Sequence, residues 1–422
     1  MSSAELHDVK GVPPADSAAQ LGSPIGVLPV SILLLCSGFC ALVYQVAWLR
    51  LLRLVFGAST ASQAAVIAIF MAGLGFGSLL LGKRADAHPN PLRMYARLEL
   101  GIALSAAASP LLVLAVRAIY LGLGGTAVLG DGGGNLLRLL LSTLVLGLPT
   151  FLMGGTLPAV ARAAAELSEK HGDKSRRYLG ILYGGNTLGA VLGALCTTLW
   201  SLEVLGIQKS IWAAAALNGL VFVFAERIAA QRGDRPVSQV TEPERPKKKG
   251  NSAIAGLRKL PFILPAAAIV GATFLLMELV WYRMLAPLLG GSSYTFGLIL
   301  AVALLGLGLG SLLYGSGNTR RRPGLAAFAT TCSLEAVLLL IPFALGDSLA
   351  LLAAVLQQLR DLGFVGLIVT WLSVICLVVL PAALVSGYQF PLLIAILGDD
   401  ERRVGREVGL CYSWNTAGAI FG

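Results

Sequence analysis

Eleven apolar runs, each long enough to cross a bilayer as a helix, constrain this chain more than any other feature. They lie at 27–50, 60–82, 94–118, 135–162, 177–202, 207–229, 261–289, 293–316, 323–346, 363–397 and 405–422. A crossing helix needs about 20 mostly apolar residues. Charge is correspondingly scarce: 13% of residues are charged and 56% hydrophobic, where a soluble globule carries about 25% charged residues to cover its surface. The reading is an all-α, multi-pass membrane protein whose first partner is the lipid bilayer. The first run is too long, and too poorly flanked by basic residues, to be a cleaved signal. Pro149, Gly154, Gly155 and Pro158 predict a kink in the fourth run, tolerable where neighbouring helices satisfy the freed backbone groups.

Polar chemistry is thin. The three histidines, His7, His88 and His171, all fall in polar stretches, which removes paired-histidine haem and most zinc sites from the membrane interior. The six cysteines sit singly in apolar runs with no CxxC and read as small core residues. Neither a metal nor a cofactor is expected in the visible chain.

Orientation follows from lysine and arginine, which are retained on the cytoplasmic side during insertion. One set of alternate connections holds 25 of the 32 basic residues, the other 7. The split places the N-terminus in the cytoplasm, with the rest of the chain multi-pass in a bacterial inner membrane. It divides the chain into a cytoplasmic tail (1–26), a first repeat of six spans (27–229), a basic linker (230–260) containing KKK at 247–249, and a second repeat (261–422). The linker reads as a flexible, charge-extended connector, and Gly124 to Gly134 as a mobile loop on the outer side. The basic residues are dispersed over many loops, so the net charge of +10 gives no support to nucleic-acid binding.

The chain is written twice. Residues 37–86 align with 270–319 without a gap: Gln45, Trp48 and Arg50 meet Glu278, Trp281 and Arg283, and Gly73, Gly77 and Ser78 meet Gly306, Gly310 and Ser311. Further on, Glu99 meets Glu335, Pro149 meets Pro381, and Tyr183, Asn186 and Gly193 meet Tyr412, Asn415 and Gly422. Six spans return the chain to its starting side, so both copies insert the same way up, the parallel arrangement of major-facilitator transporters. Gly422 falls at the counterpart of Gly193, in mid-helix, so the second repeat is expected to continue into a sixth span.

At these residues the sequence resembles a known family. The stretches SGFCALVYQVAWLRLLRLVFGAST, MAGLGFGSLLLGKRAD and RLELG, with LYGGNTLGAVLG answered by CYSWNTAGAIFG, are similar to the fused major-facilitator/spermidine-synthase membrane proteins of bacteria. The resemblance runs over 30–422. It implies a polytopic, major-facilitator-like region ahead of a cytoplasmic aminopropyltransferase-like domain, so transferase activity is implied only beyond residue 422. Residues 1–422 carry no catalytic motif of that enzyme class.

Ionisable groups at membrane depth cost a few kcal/mol unless paired or wet, so they are the first candidates for a site. Glu278 is the leading substrate-cavity candidate, because its first-copy counterpart Gln45 lacks the charge. Gln45, Tyr388 and Gln389 are further cavity candidates. Glu99 and Glu335 occur in both copies and are read as structural, each neutralising an arginine of a neighbouring helix or the loop at Lys83 and Arg84. Arg50 and Arg283 are charge-pair candidates beside Trp48 and Trp281, which are expected in an interfacial belt. Tyr183, Asn186, Tyr412 and Asn415 read as clamps between helices. Gly73, Gly77, Gly306 and Gly310 lie four apart inside spans with no preceding strand, which favours close helix packing over a dinucleotide turn.

Three functions stay open. The first is a transporter-like unit that binds or moves a small polar or cationic metabolite, a polyamine by family implication. The second is a membrane anchor for an aminopropyltransferase-like domain. The third is a non-transporting subunit that works with partner subunits in a membrane complex.

Overall fold

The computed structural model describes residues 27–56, 60–170, 176–233, 250–290, 293–317, 324–398 and 400–422. The N-terminal tail and the KKK stretch of the linker lie outside them. No strand is present among the described residues. In hydrocarbon every backbone N–H and C=O must be satisfied within the protein, and a helix does this within one segment.

The first half comprises α1 (Val27–Phe56), α2 (Thr60–Ala87), α3 (Pro91–Gly122), α4 (Gly125–Gly154), α5 (Thr156–Lys170) and α6 (Tyr178–Cys196). After a π-turn at Thr197–Ser201 come the short α7 (Leu202–Val204) and then α8 (Gly206–Arg232). The second half comprises α9 (Gly250–Leu289), α10 (Ser293–Ser316), α11 (Leu325–Leu345), α12 (Asp347–Leu356), α13 (Phe364–Leu397) and α14 (Val404–Phe421). Ten of the eleven apolar runs form helices long and apolar enough to cross a membrane. The eleventh, α14, has 18 residues and carries Arg406 and Glu407 in its opening turns.

Helix starts follow local chemistry. Asn90 caps α3 by accepting from the Arg93 amide, and Pro91 occupies the first turn, where its missing N–H has no intrahelical acceptor to lose. The kink expected in the fourth run appears as a break at Gly155, where α4 gives way to α5. Two expectations are corrected. The glycine-rich segment after Gly124 is not a loop: α4 begins at Gly125 and runs through it, interrupted only at Gly130, whose φ of 67° is left-handed. Arg138, donating to the Tyr120 hydroxyl at 3.0 Å, holds this helix against the end of α3. The linker is also shorter than expected, because α8 extends to Arg232 and α9 begins at Gly250.

The packing repeats as the sequence does. α1 lies on α6 as α9 lies on α14, and α2 on α4 as α10 on α13. The halves meet through two equivalent contacts, α6 on α10 and α14 on α2. Gly180 approaches the Ser311 carbonyl, and its counterpart Gly409 approaches that of Ser78, the counterpart of Ser311. Such an isologous exchange defines a two-fold relation between the halves. The start of α6 also lies beside the start of α14, where Arg176 bonds Glu407, so both repeats stand the same way up. The result is an all-helical bundle of two parallel repeats.

The outer faces carry exposed Leu104, Leu111, Leu114, Leu148, Phe224 and Leu377, as a lipid-facing surface requires. The core of each half is lined instead by residues such as Trp48, Leu146, Trp281 and Val379. Trp48 and Trp281 are both 1% exposed and do not form an interfacial belt. Trp48 Nε1 donates to Ser109 Oγ at 2.8 Å, and its ring stacks on Tyr44. A satisfied indole N–H lets the side chain sit in the core.

Candidate functional site: a two-half junction and the acids behind it

The halves are fastened where α2 ends and α6 and α14 begin, the end of the bundle at which Asn90 bonds the Ala229 and Gly233 carbonyls at the close of α8. At this linker end Arg176 precedes α6 and is 1% exposed. Its Nε donates to Glu401 Oε1 at 3.0 Å and its Nη1 to Glu407 Oε2 at 2.5 Å, while Nη2 reaches the Asp400 carbonyl at 2.9 Å. Tyr178 donates to the other Glu401 oxygen at 2.7 Å. Burial works against the arginine's charge, but the Glu407 and Glu401 carboxylates more than offset it and raise its pKa above the usual guanidinium range.

Asp86, at the end of α2, accepts from the amides of Gly405 and Arg406, both at 2.8 Å. It thereby caps a helix of the opposite half and places a carboxylate at its positive end. Arg162 of α5 lies 3.8 Å from Asp86 and donates to the Glu401 carbonyl at 3.3 Å. Sequence reading counted Arg162 and Arg176 only as loop charge and gave Asp86, Glu401 and Glu407 no role. The acidic pair Asp400 and Glu401 following a long apolar run is the signal available in the sequence.

At the far end one side-chain bond crosses between halves among the described residues. The Tyr294 hydroxyl of α10 donates to Glu203 beside the π-turn.

Among the sequence candidates, Glu278 lies half-buried on α9 with no hydrogen-bond or ion-pair partner among the described residues. Arg283 is exposed, and neither it nor Arg50 forms an ion pair among the described residues. Gln45 occupies the equivalent place on α1, lining a small recess with Trp48, Leu49, Val66 and Phe70. Gln389 lies on α13. It is fully buried, and its Nε2 donates to Glu335 at 2.7 Å. Tyr388 meets the Tyr314 ring edge-on at 5.3 Å.

The expectation that Glu99 and Glu335 neutralise arginines is corrected: both are held by neutral donors. Glu335 takes the Gln389 amide, and Glu99 takes Ser37 Oγ at 2.6 Å together with the Asn218 amide. Lys83 and Arg84 are not among their partners.

Asn415 clamps α14 to α9 by donating to the Ala267 carbonyl at 3.1 Å. Asn186 and Asn415 alike present their backbone carbonyls to a glycine of the facing helix, Gly38 of α1 and Gly271 of α9. Tyr183 and Tyr412 both pack on Phe390, with ring centroids at 4.6 and 5.9 Å. Gly77 and Gly310 sit directly over the carbonyls of Phe151 and Leu384, and Gly73 and Gly306 over Thr150 and Ala383. All four permit close helix approach.

No protein-family model and no curated protein matches the chain. Among solved structures it is similar to the nucleoside transporter NupG and to a mutant form of that protein. The identities are 14% and 16%, over 94% of this chain in both cases and over 94% and 90% of those chains, with TM-scores of 0.46 and 0.47. The fold itself is an all-helical bundle with ten helices, among the described residues, long and apolar enough to cross a membrane, arranged as two equivalent halves.

Proposed function

We propose that this chain is the membrane part of a transporter-like protein that binds a small cationic metabolite and moves it between the two halves of the bundle. One observation carries the reading. Glu278 is a carboxylate at membrane depth without a partner among the described residues, whereas Glu99 and Glu335 are bonded. A group of that kind is expensive to keep in a bilayer and is retained where it meets a substrate or ion. Its counterpart Gln45 makes the pair asymmetric: one side of the pseudo-axis attracts a cation, and the other offers a hydrogen bond.

The junction supplies the mechanical part. Arg176, Asp86 and Arg162 close the linker end across both halves, and the Tyr294–Glu203 bond spans the other end. Passage then requires the linker-end contacts to part while the halves rock about the α6–α10 and α14–α2 packing. The resemblance to fused major-facilitator/spermidine-synthase proteins makes a polyamine the metabolite class. The distribution of basic residues supports an inner-membrane location with the linker end in the cytoplasm.

The test is uptake of labelled spermidine into proteoliposomes holding the purified protein. The expected result is saturable uptake, reduced about tenfold or more in Glu278→Gln, the scale of about 1.4 kcal/mol of lost attraction. Absence of uptake and of binding for every polyamine tried overturns the reading.

A further inference from the structure

The transport reading makes no use of Glu99. Its carboxylate is fully buried between α1, α3 and α8, with Ser37 Oγ donating to Oε1 at 2.6 Å and Asn218 Nδ2 donating to Oε2. Tyr44 fixes that amide, because its hydroxyl donates to Asn218 Oδ1 at 2.9 Å. With its oxygen committed, Asn218 turns only N–H toward the acid. The Tyr95 hydroxyl, also fully buried, lies beside Glu99 and Ser37 without hydrogen-bond geometry to either.

The titratable groups facing Glu99 are Cys36, Cys40 and Tyr44 of α1 and Tyr95 of α3. No lysine, arginine or second carboxylate is among them. From α8, Glu226 is spent on Arg93 at 3.0 Å, and from α5, Arg162 and Glu166 lie 3.8 Å from each other.

This arrangement accommodates two protonation states. The anion takes the two donors seen, with Tyr95 in place to supply a third. A protonated carboxyl has one oxygen that donates and so needs an acceptor. Asn218 cannot serve, but the Ser37 hydroxyl can, if it turns its own hydrogen to the backbone carbonyl one turn earlier in α1. Ser31 already bonds in that way to the Val27 carbonyl at 3.0 Å.

We propose that Glu99 is a proton-binding site: Oε1 takes up one proton from hydronium of the aqueous phase, the O–H so formed donates a hydrogen bond to Ser37 Oγ, and Asn218, oriented by Tyr44, remains the donor to Oε2. The charge of the buried cluster changes from minus one to zero, and nothing else is consumed. Gly38, next to Ser37, packs on the Asn186 carbonyl of α6, so the switch adjoins a helix that joins the two halves. The proposal does not rest on the transport reading.

Infrared difference spectra of the purified protein, recorded from about pH 4 to about pH 10, test it in the carboxylic-acid stretching region. The expected result is a titrating band that is lost in Glu99→Gln, shifted in frequency in Ser37→Ala and kept in Glu335→Gln. A spectrum in which Glu99→Gln loses no band overturns the site. Should Glu99→Gln fail to fold, an unshifted band in Ser37→Ala overturns the placement of the proton on Oε1.

Discussion

The Arg176 guanidinium donates to the Glu407 carboxylate at 2.5 Å, and the two residues belong to opposite halves of the bundle. One arginine, buried outside the spans, thus joins the start of α6 to the start of α14, the two helices that the repeat makes equivalent. Glu401 and the Asp400 carbonyl take further N–H groups of the guanidinium, and the Ile394 carbonyl lies at 3.5 Å from Nη1, so the junction is specific in direction as well as in charge.

Replacing Arg176 by methionine leaves Glu407 and Glu401 without their cation. Removing one partner of a buried pair costs about 3–5 kcal/mol, because the remaining charge is uncompensated. Thermal unfolding in detergent should show a lower midpoint for Arg176→Met. Glu401→Gln, which keeps Glu407 on the arginine, should lower it less. Equal midpoints for wild type and Arg176→Met would remove the junction from any account of stability.

The same arginine predicts an absence of sensitivity to alkaline pH. Its folded pKa is raised above the ordinary guanidinium value, so its contribution is fully present below that value and is lost only as pH climbs through the higher folded one. Between about pH 8 and about pH 10, above the value of about 7 to which burial pushes the Glu407 carboxyl, both partners stay charged and the linker end stays closed. Spin labels placed on the α5 and α13 ends should report one unchanged distance over that range. A separation that grows with alkaline pH would contradict the sign.

Much of this was legible in the residues. The doubled pattern of Trp, Gly and Asn positions gave the two halves and their common orientation, because helix packing reuses the same small residues at the same places. The junction was not legible. Arg176 and Glu407 are far apart in the chain, and each looks like ordinary loop charge until the fold brings them together. Glu99 was visible as an acid at depth, yet its partners are Ser37 and Asn218, neutral donors that no charge pattern advertises. Trp48 was misplaced for a related reason: a lone Ser109 hydroxyl suffices to satisfy its indole and admit it to the core.

The close approach of α6 to α1 makes a local prediction. A methyl group at Gly189 would overlap the Leu35 carbonyl oxygen, whereas one at Gly219 meets nothing within 4 Å. Forcing an extra carbon into a packed contact typically costs about 1–3 kcal/mol. Gly189→Ala should therefore melt lower than wild type. Gly219→Ala, in the open part of α8, should match wild type or exceed it through the higher helix propensity of alanine. Identical melting of the two variants would mean that α1 and α6 are not packed at this distance.

Glu278 separates function from stability. With no partner among the described residues, its carboxylate contributes no bond that folding would miss, and a charge at the centre of a membrane helix carries a penalty of about 2.5–3.5 kcal/mol on insertion scales. Glu278→Gln keeps the shape and removes the charge, so its melting midpoint should equal or exceed that of the wild type while polyamine uptake falls. Glu335→Gln makes the useful contrast, since that acid accepts from Gln389 and the change puts a second amide against the first. It should lower the midpoint. A destabilised Glu278→Gln would show that the carboxylate is held by a bond within the fold, and the cation it is proposed to attract would lose its site.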